Sequence, residues 1–595
     1  MRYVLVSGGV ISGVGKGIIA SSLGLLLKTL GVRVSCIKTD QAHNREVSVD
    51  AGLMSPAEHG ECFVLSSGHE VDLDLGNYER QLLAVGPNAD RKYLSVRLSG
   101  DNNITTGKIY TEVLQKERRG GYLGVTVQIV PHVVDCIKDW IRNVAKRPVD
   151  GSNEEPDVCI IELGGTVGDI ENMPFVEALT QLRHEAGPSN FMAVHVSYVP
   201  ILHGEQKTKP TQHAVKTVRS YGLIPDLIAC RAEKPLTGST ISKIALHCQV
   251  QVDQVLVVRD MPTVYQVPLL LHEQGLIPLL QSKLNLHALN IPPALVDSGK
   301  ELYQMWEKLT TQTFHSSVDI SLVGKYPSHD AYLSVEKALE HSSMHLGRKL
   351  NLHWVDSEHL EPKAQVSEPE KYQKAWDTLK KTSGIITPGG FGHRGVEGMI
   401  LAANWARDNG KPFLGVCLGF QIAVIGFARE VCGLSNATSE EFDAVAKDRV
   451  IIHMPDIDRH NMGGTMRLGL HKTIFEQGSE WSKLRELYGG AEVIEERHRH
   501  RYEVNPQYVD RLINAGMHFI GKDTKGERMG VFELKDHPFF VGTQFHAEYQ
   551  SRVLYPSRPY LGFVAASAGC LDEVLQKQRD GSASLVNGVN GGHIF

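Results

Sequence analysis

The strongest constraint on this chain lies at its start. Tyr3-Val4-Leu5-Val6 is a short apolar run, Gly8-Gly9-Val10-Ile11-Ser12-Gly13-Val14-Gly15-Lys16-Gly17 is a glycine-rich loop, and Ile18 to Leu30 has helical patterning. A strand, a glycine loop and a helix in that order form an anion cradle, with backbone N–H groups around the ligand and the helix dipole behind it. Gly31 stops the helix as a C-cap glycine does, and Lys16 supplies a point charge for outer phosphates. The loop departs from G-x-x-x-x-G-K-[ST] at two places, with Val10 at the first glycine and Gly17 at the hydroxyl position. No side chain directly after the lysine can ligate Mg2+, so carboxylates elsewhere must do so. The plainer reading is a turn that only lets strand and helix pack closely; the order of the elements favours nucleotide binding.

Further apolar runs of strand length at Val158 to Ile161, Phe191 to Val196, Leu227 to Cys230 and Val255 to Val258 alternate with helical segments. That alternation argues for a parallel sheet covered on both faces. A second αβ series begins at Val318 to Gly324, with strands at Gly384 to Thr387 and Phe413 to Val416. The expected organisation is α/β, two doubly wound parallel-sheet domains at 1–285 and 317–575. A linker is expected at 286–316 and a disordered Gly/Ser/Asn-rich tail at 576–595. The 62 Lys+Arg and 68 Asp+Glu leave a net charge of -6, which argues against a nucleic-acid coat or a polybasic membrane binder. No apolar stretch reaches the roughly 18 residues of a membrane span. Nine scattered cysteines without a C-x-x-C pair fit reduced thiols in the cytoplasm.

Acids for a metal are expected at Asp72-Leu73-Asp74, read as one face of an extended segment, and at Glu162, at the carboxyl end of a strand where ligands of open sheets sit. Mg2+ favours one or two carboxylates with phosphate oxygens. Gly204-Glu205-Gln206-Lys207-Thr208-Lys209-Pro210-Thr211-Gln212 is a weaker candidate for a second polyphosphate. In the other half, Gly415-Val416-Cys417-Leu418-Gly419 reads as a nucleophile elbow with cysteine in place of serine. A helix N-terminus there lowers the thiol pKa and offers oxyanion donors. Gln544-Phe545-His546-Ala547-Glu548 supplies a base and its orienting acid, a Cys-His-Glu pattern for thioester-forming acyl transfer. Pro388-Gly389-Gly390-Phe391-Gly392 is a second source of oxyanion N–H groups. A lone cysteine is usually an inert core thiol; the elbow, His-x-Glu and glycine loop together outweigh that here.

These segments, with Asp72 to Gly76, Glu162 to Glu171, Gly463 to Gly469 and Arg497 to Asn505, resemble the CTP synthase family from Met1 to about residue 570. The resemblance implies a Rossmann-like P-loop synthetase domain joined to a class I glutaminase domain. It also implies the last step of de novo CTP synthesis. ATP phosphorylates O4 of UTP, and ammonia freed from L-glutamine displaces the phosphate. GTP activates and CTP inhibits. The implied ATP site is Gly13, Val14, Gly15, Lys16, Gly17 and Ile18, with Asp74, Arg259, Asp260 and Met261, and Lys38 assists phosphoryl transfer. Asp74 and Glu162 would hold Mg2+. Ser12, Asp169, Ile170, Glu171, Lys207, Thr208, Lys209, Pro210, Thr211, Gln212 and Lys243 would hold UTP or CTP. Cys417, His546 and Glu548 form the implied triad. Gly390, Leu418, Gly419, Phe420, Gln421, Glu441 and Arg501 would bind glutamine, Arg501 as a fork for its α-carboxylate and Glu441 as counter-charge for its ammonium. A cytoplasmic homotetramer, able to form filaments, is implied, without nucleic-acid or membrane partners. Arg394 is a candidate for a GTP-sensing lid.

The chain departs from the family pattern at several points. After Lys38-Thr39-Asp40 it lacks a Pro-Tyr and runs about four residues longer before Asp50. Gln81 to Ser95 holds an extra segment, and Pro200 to Gly204 is short. Gly121 replaces an acid, His247 an aromatic near Lys243, and Ala547 the proline of His-Pro-Glu. Two other readings remain open at this level: a glutaminase joined to an impaired synthetase, and a non-catalytic filament subunit.

Overall fold

The structure is a computed structural model that describes residues 1–9, 11, 13–40, 56–82, 97–326, 328–457 and 465–580. Ser12, the altered spacing at 41–49, most of the extra segment at 81–95, Gly463-Gly464 and residues 581–595 of the expected tail lie outside them, while residues 576–579 of that tail are not disordered but end a helix, Leu571–Arg579. The described residues fall into two compact units, one drawn from 1–51, 74–86 and 90–311 and the other from 52–73 and 312–595.

The first unit is built on seven strands: β1 (Arg2–Gly8), β2 (Val34–Asp40), β3 (Asn103–Thr105), β4 (Val158–Leu163), β5 (Phe191–Tyr198), β6 (Leu227–Ala232) and β7 (Val255–Arg259). Their order is β7-β6-β5-β1-β4-β2-β3, and every pairing is parallel. β1 and β4 are buried along nearly their whole length, which is why these strands read as unbroken apolar runs and not as alternating ones. The strands expected at 158, 191, 227 and 255 are all present, each running one or two residues further. Helix α1 (Lys16–Thr29) begins two residues before the expected start and is buried from Ile19 onward.

Two expectations need correction. The segment around Asp74 is helical, not extended: α2 spans Leu73–Leu82. Asp72 to Leu75 alternates like a strand, but Leu75, Tyr78 and Leu82 recur at helical spacing and are among the buried positions, so the longer periodicity wins. The expected linker contains an 18-residue helix, labelled α5 below (Pro293–Thr310). Pro292 and Pro293 suit a helix start, and Leu295, Leu302 and Trp306 form its buried stripe. Trp306 donates to the Tyr265 carbonyl at 2.7 Å. The remaining helices used below are α3 (Lys209–Ser220) and α4 (Gly238–Cys248).

The second unit holds β8 (Ser317–Gly324), β9 (Lys349–Asp356), β10 (Gly384–Thr387), β11 (Phe413–Val416), β12 (Arg467–Phe475), β13 (Val493–His500), β14 (His518–Lys522), β15 (Met529–Glu533) and β16 (Phe540–Thr543). Their order is β9-β8-β10-β11-β16-β15-β14-β12-β13. Pairing is parallel from β9 to β16 and antiparallel from there to β13. The sheet is therefore mixed, where an all-parallel one was expected. β12 alternates between buried and more exposed positions, the pattern of antiparallel strands with one face open to water. Cores lie on both faces of this sheet. Among the described residues no helix is long and apolar enough to cross a membrane, and no disulfide forms.

Candidate functional site

In the first unit, three side chains meet at the carboxyl ends of β2 and β4. Lys38 Nζ donates to Asp74 Oδ2 at 2.6 Å and to Glu162 Oε1 at 2.8 Å. β2 and β4 pair with Lys38 opposite Glu162, so sheet register sets this contact. Tyr78, one turn along α2 from Asp74, donates its hydroxyl to Glu162 Oε2. Burial lifts the Glu162 pKa to about 7 despite Lys38. Burial also raises Asp74, but Lys38, Lys16 and the Asn77 amide together outweigh it and hold that carboxyl below its usual value. Gly17 explains the loop's second departure: a Cβ there would lie 2.7 Å from Asp74 Oδ1. The carboxylate occupies the space a hydroxyl side chain would take.

The glycine loop meets this cluster at Gly17, whose Cβ position lies 3.5 Å from Glu162 Oε2. Gly15 takes φ 101° at the start of α1, a left-handed conformation suited to glycine. Lys16 Nζ donates to the Gly165 carbonyl at 2.9 Å, and Val167 N–H bonds to the Gly8 carbonyl. The loop bearing Asp169, Ile170 and Glu171 is thereby tied to the phosphate loop. Asp169 closes the preceding turn, its side chain accepting from Thr166 N–H at 3.2 Å, while Ile170 is exposed. Gly168 abuts Thr217 of α3, whose first turn holds Lys209, Pro210, Thr211 and Gln212. The Thr208 and Thr211 hydroxyls are held by Gln212 and Ser197. Lys207 pairs with Glu205 at the surface, and Lys243 sits on the exposed face of α4.

Two residues that motif reading missed complete this end. Arg231 donates to the Gly13 carbonyl at 3.1 Å and reaches Asp260 at 3.4 Å. It bridges the phosphate loop to the turn carrying Arg259, Asp260 and Met261. His195 is fully buried against Gly9, its pKa pushed down to about 4 by burial and then by Lys16. Neither belongs to a local motif; only the pairing of β5, β6 and β1 brings them here.

In the second unit, Cys417 follows β11 directly and opens helix α6 (Leu418–Glu430) at φ 54°, ψ −100°. That is a strained conformation for a residue with a side chain and the geometry of an elbow. Gly419 is required by contact: a Cβ there would stand 1.9 Å from the Thr387 carbonyl oxygen. His546 Nδ1 bonds Glu548 Oε1 at 2.6 Å, and Tyr560, on helix α7 (Arg558–Ser567), donates to the other carboxylate oxygen at 3.2 Å. Burial disfavours a charged His546, but Glu548 and a hydrogen bond with Cys417 outweigh it and hold its pKa at about 10. Cys417 Sγ also lies 3.6 Å from the Arg499 carbonyl.

The glycine loop after β10 faces this pair, with Gly389 against the His546 ring and Cys417 Cβ. Two of its N–H groups are already engaged, Phe391 by the Tyr326 hydroxyl at 3.2 Å and Gly392 by Glu441 at 2.7 Å. Within this loop the oxyanion expectation therefore narrows to Gly389 and Gly390, beside the expected donors at the N-terminus of α6. Lys325, another residue not found from sequence, donates to the Phe391 carbonyl at 3.0 Å and to that of Gly392. Burial lowers its pKa to about 8. Gln421 donates to the Tyr502 carbonyl and to Gln544, and Arg501 to Thr465. The Phe420 ring points into the core against Phe532, so only its backbone is left to face a ligand. Arg394 is pinned by Asp356 at 2.6 Å and Glu358 at 3.0 Å.

Residues 2–286 match the family model for the CTP synthase N-terminus, and 328–565 that for class I glutamine amidotransferases. A CTP synthase of Neurospora crassa is 63% identical over 595 residues, covering 100% of both chains. The chain belongs to the CTP synthase family. Further relatives are a CTP synthase of Schizosaccharomyces pombe, 56% identical over 97% of this chain and 94% of its own, and CTP synthase 2 of Saccharomyces cerevisiae, 55% identical over 97% and 98%. Family membership accounts for one chain holding both a phosphate loop and a cysteine elbow.

Proposed function

We propose that the two sites divide the family's reaction, the amination of UTP to CTP, between them. Cys417 Sγ attacks the glutamine side-chain carbonyl, forming a C–S bond as the C–N bond breaks. The proton held on His546 leaves with ammonia; His546 then deprotonates the water that cleaves the thioester. Glu548 orients the ring, and Gly389 and Gly390 face the developing oxyanion. Arg501 and Glu441 hold the α-carboxylate and α-ammonium of glutamine, with Gly390, Leu418 and Gln421 lining the same end.

In the synthetase site, O4 of UTP attacks the γ-phosphorus of ATP, ADP departs, and ammonia then displaces phosphate from C4. The residues from Gly13 to Ile18 cradle the ATP phosphates, and Lys16 and Lys38 stabilise charge on the transferred group. Arg259, Asp260 and Met261 lie toward adenine. Asp169 to Glu171, Lys207 to Gln212, Ser12 and Lys243 hold the pyrimidine nucleotide, UTP or the inhibitor CTP. The donors fit Mg2+. Two carboxylates converge on Lys38, burial still lifts Glu162 to about 7, and a hard cation would reverse that while taking its other ligands from phosphate and water. Asp74 and Glu162 would hold it, and it would supply neutralisation of the polyphosphate. GTP activation, a cytoplasmic homotetramer and filament formation complete the reading.

The observation that carries it is the coexistence of Lys38–Asp74–Glu162 and Cys417–His546–Glu548 in one chain. Cys417→Ala is expected to abolish glutamine-dependent CTP formation and spare that driven by ammonium chloride. Loss with both nitrogen sources would refute the division. Wild-type activity with ammonium chloride also decides whether the synthetase half is impaired.

A further inference from the structure

β13 presents Arg497, His498, Arg499 and His500 in succession, so the two arginines share one face. Their backbone carbonyls border the proposed catalytic pair: that of Arg497 accepts the backbone N–H of His546 at 2.8 Å and that of Arg499 lies 3.6 Å from Cys417 Sγ. Their guanidinium groups reach a segment more than 400 residues earlier in the chain that folds with this unit. Arg497 donates to the Val64 carbonyl at 2.9 Å and to the Ser66 hydroxyl at 3.0 and 3.2 Å. Arg499 Nε donates to Glu70 Oε1 at 2.7 Å. The same segment meets the base, since Tyr549 stacks on His546 with centroids 5.0 Å apart and donates its hydroxyl to the Cys62 carbonyl at 3.1 Å.

The segment buries Phe63, Val64, Leu65 and Val71. Among these apolar residues Glu70 places a carboxylate with a side chain 1% exposed against a guanidinium 14% exposed. Taking both charges out of water is costly unless the geometry is used. A bond of 2.7 Å fixes Arg499 laterally, and its carbonyl moves with it. We propose that Glu70 is a positioning residue for glutamine hydrolysis: through Arg499 it sets the strand that locates the Cys417 sulfur relative to His546. The proposal rests on Cys417 and His546 being the glutaminase pair.

The test uses full-length enzyme with Glu70→Gln and Glu70→Asp. Glutamine kcat and KM, ammonium-driven CTP formation, and the rate of iodoacetamide alkylation at the Cys417 peptide across pH are measured for each. Glu70→Gln is expected to lower glutamine kcat at least tenfold and slow alkylation in parallel. KM and ammonium-driven turnover stay within twofold of wild type. Glu70→Asp keeps the charge and restores part of the loss. Unchanged glutamine kcat, or equal losses with both nitrogen sources, overturns the proposal. Should Glu70→Gln not fold, Glu70→Asp must still show a loss confined to glutamine, and wild-type values for it overturn the idea. Failure of Cys417→Ala to lose glutamine use would instead sink the underlying assignment.

Discussion

At Gly17 the absence of a side chain makes room for a carboxylate, since Asp74 Oδ1 lies 2.7 Å from the Cβ position. Gly17→Ala should displace that carboxylate and cut CTP formation with either nitrogen source by about 100-fold, the usual scale for a misplacement near 1 Å. Glutamine hydrolysis measured alone should persist. Lys325 gives a pH prediction. Burial brings its pKa down to about 8, so the ammonium that holds the Phe391 and Gly392 carbonyls is present below pH 8 and lost above it. Glutaminase kcat/KM should therefore fall as pH rises through about 8. The limb does not belong to His546, held protonated to about 10. Lys325→Met should lose that limb and start about tenfold lower at pH 7, as read from glutamate release.

Among elements, the elbow joining β11 to α6 leaves almost no room for change. The Gly419 α-carbon faces a carbonyl oxygen of β10, and backbone on both sides cannot yield as a flexible side chain would. Gly419→Ala should destabilise the second unit by about 3 kcal/mol, the upper end for overpacking, seen as a lower urea midpoint with unchanged slope. β4 contributes through pairing. Its register against β2 sets Lys38 opposite Glu162, so strand pairing makes that contact, and α2 adds Asp74 and Tyr78.

For the whole molecule, two units with their own apolar cores predict two unfolding transitions in calorimetry. A non-hydrolysable ATP analogue should raise one of them, and alkylation of Cys417 should shift the other, since a ligand stabilises only the unit that binds it. A single transition moved by both reagents would contradict that prediction.

The sequence alone determined the parts whose chemistry is local. The strand–glycine loop–helix order, the Cys417 elbow and His546-x-Glu548 each lie within one short continuous stretch of chain, so the spacing of residue types reports the backbone directly. Glu162 was legible because an acid ending an apolar run must be buried. Tertiary structure decided the rest. Only folding made α2 helical where Asp72 to Asp74 alternates like a strand, turned half of the second sheet antiparallel, and filled the expected linker with α5. Lys325, Arg231 and the Glu70–Arg499 pair, 429 residues apart, gain their roles from partners that no local pattern announces. A charge on a surface and a charge in a core are written with the same letter, and only the fold decides which of them is taken out of water.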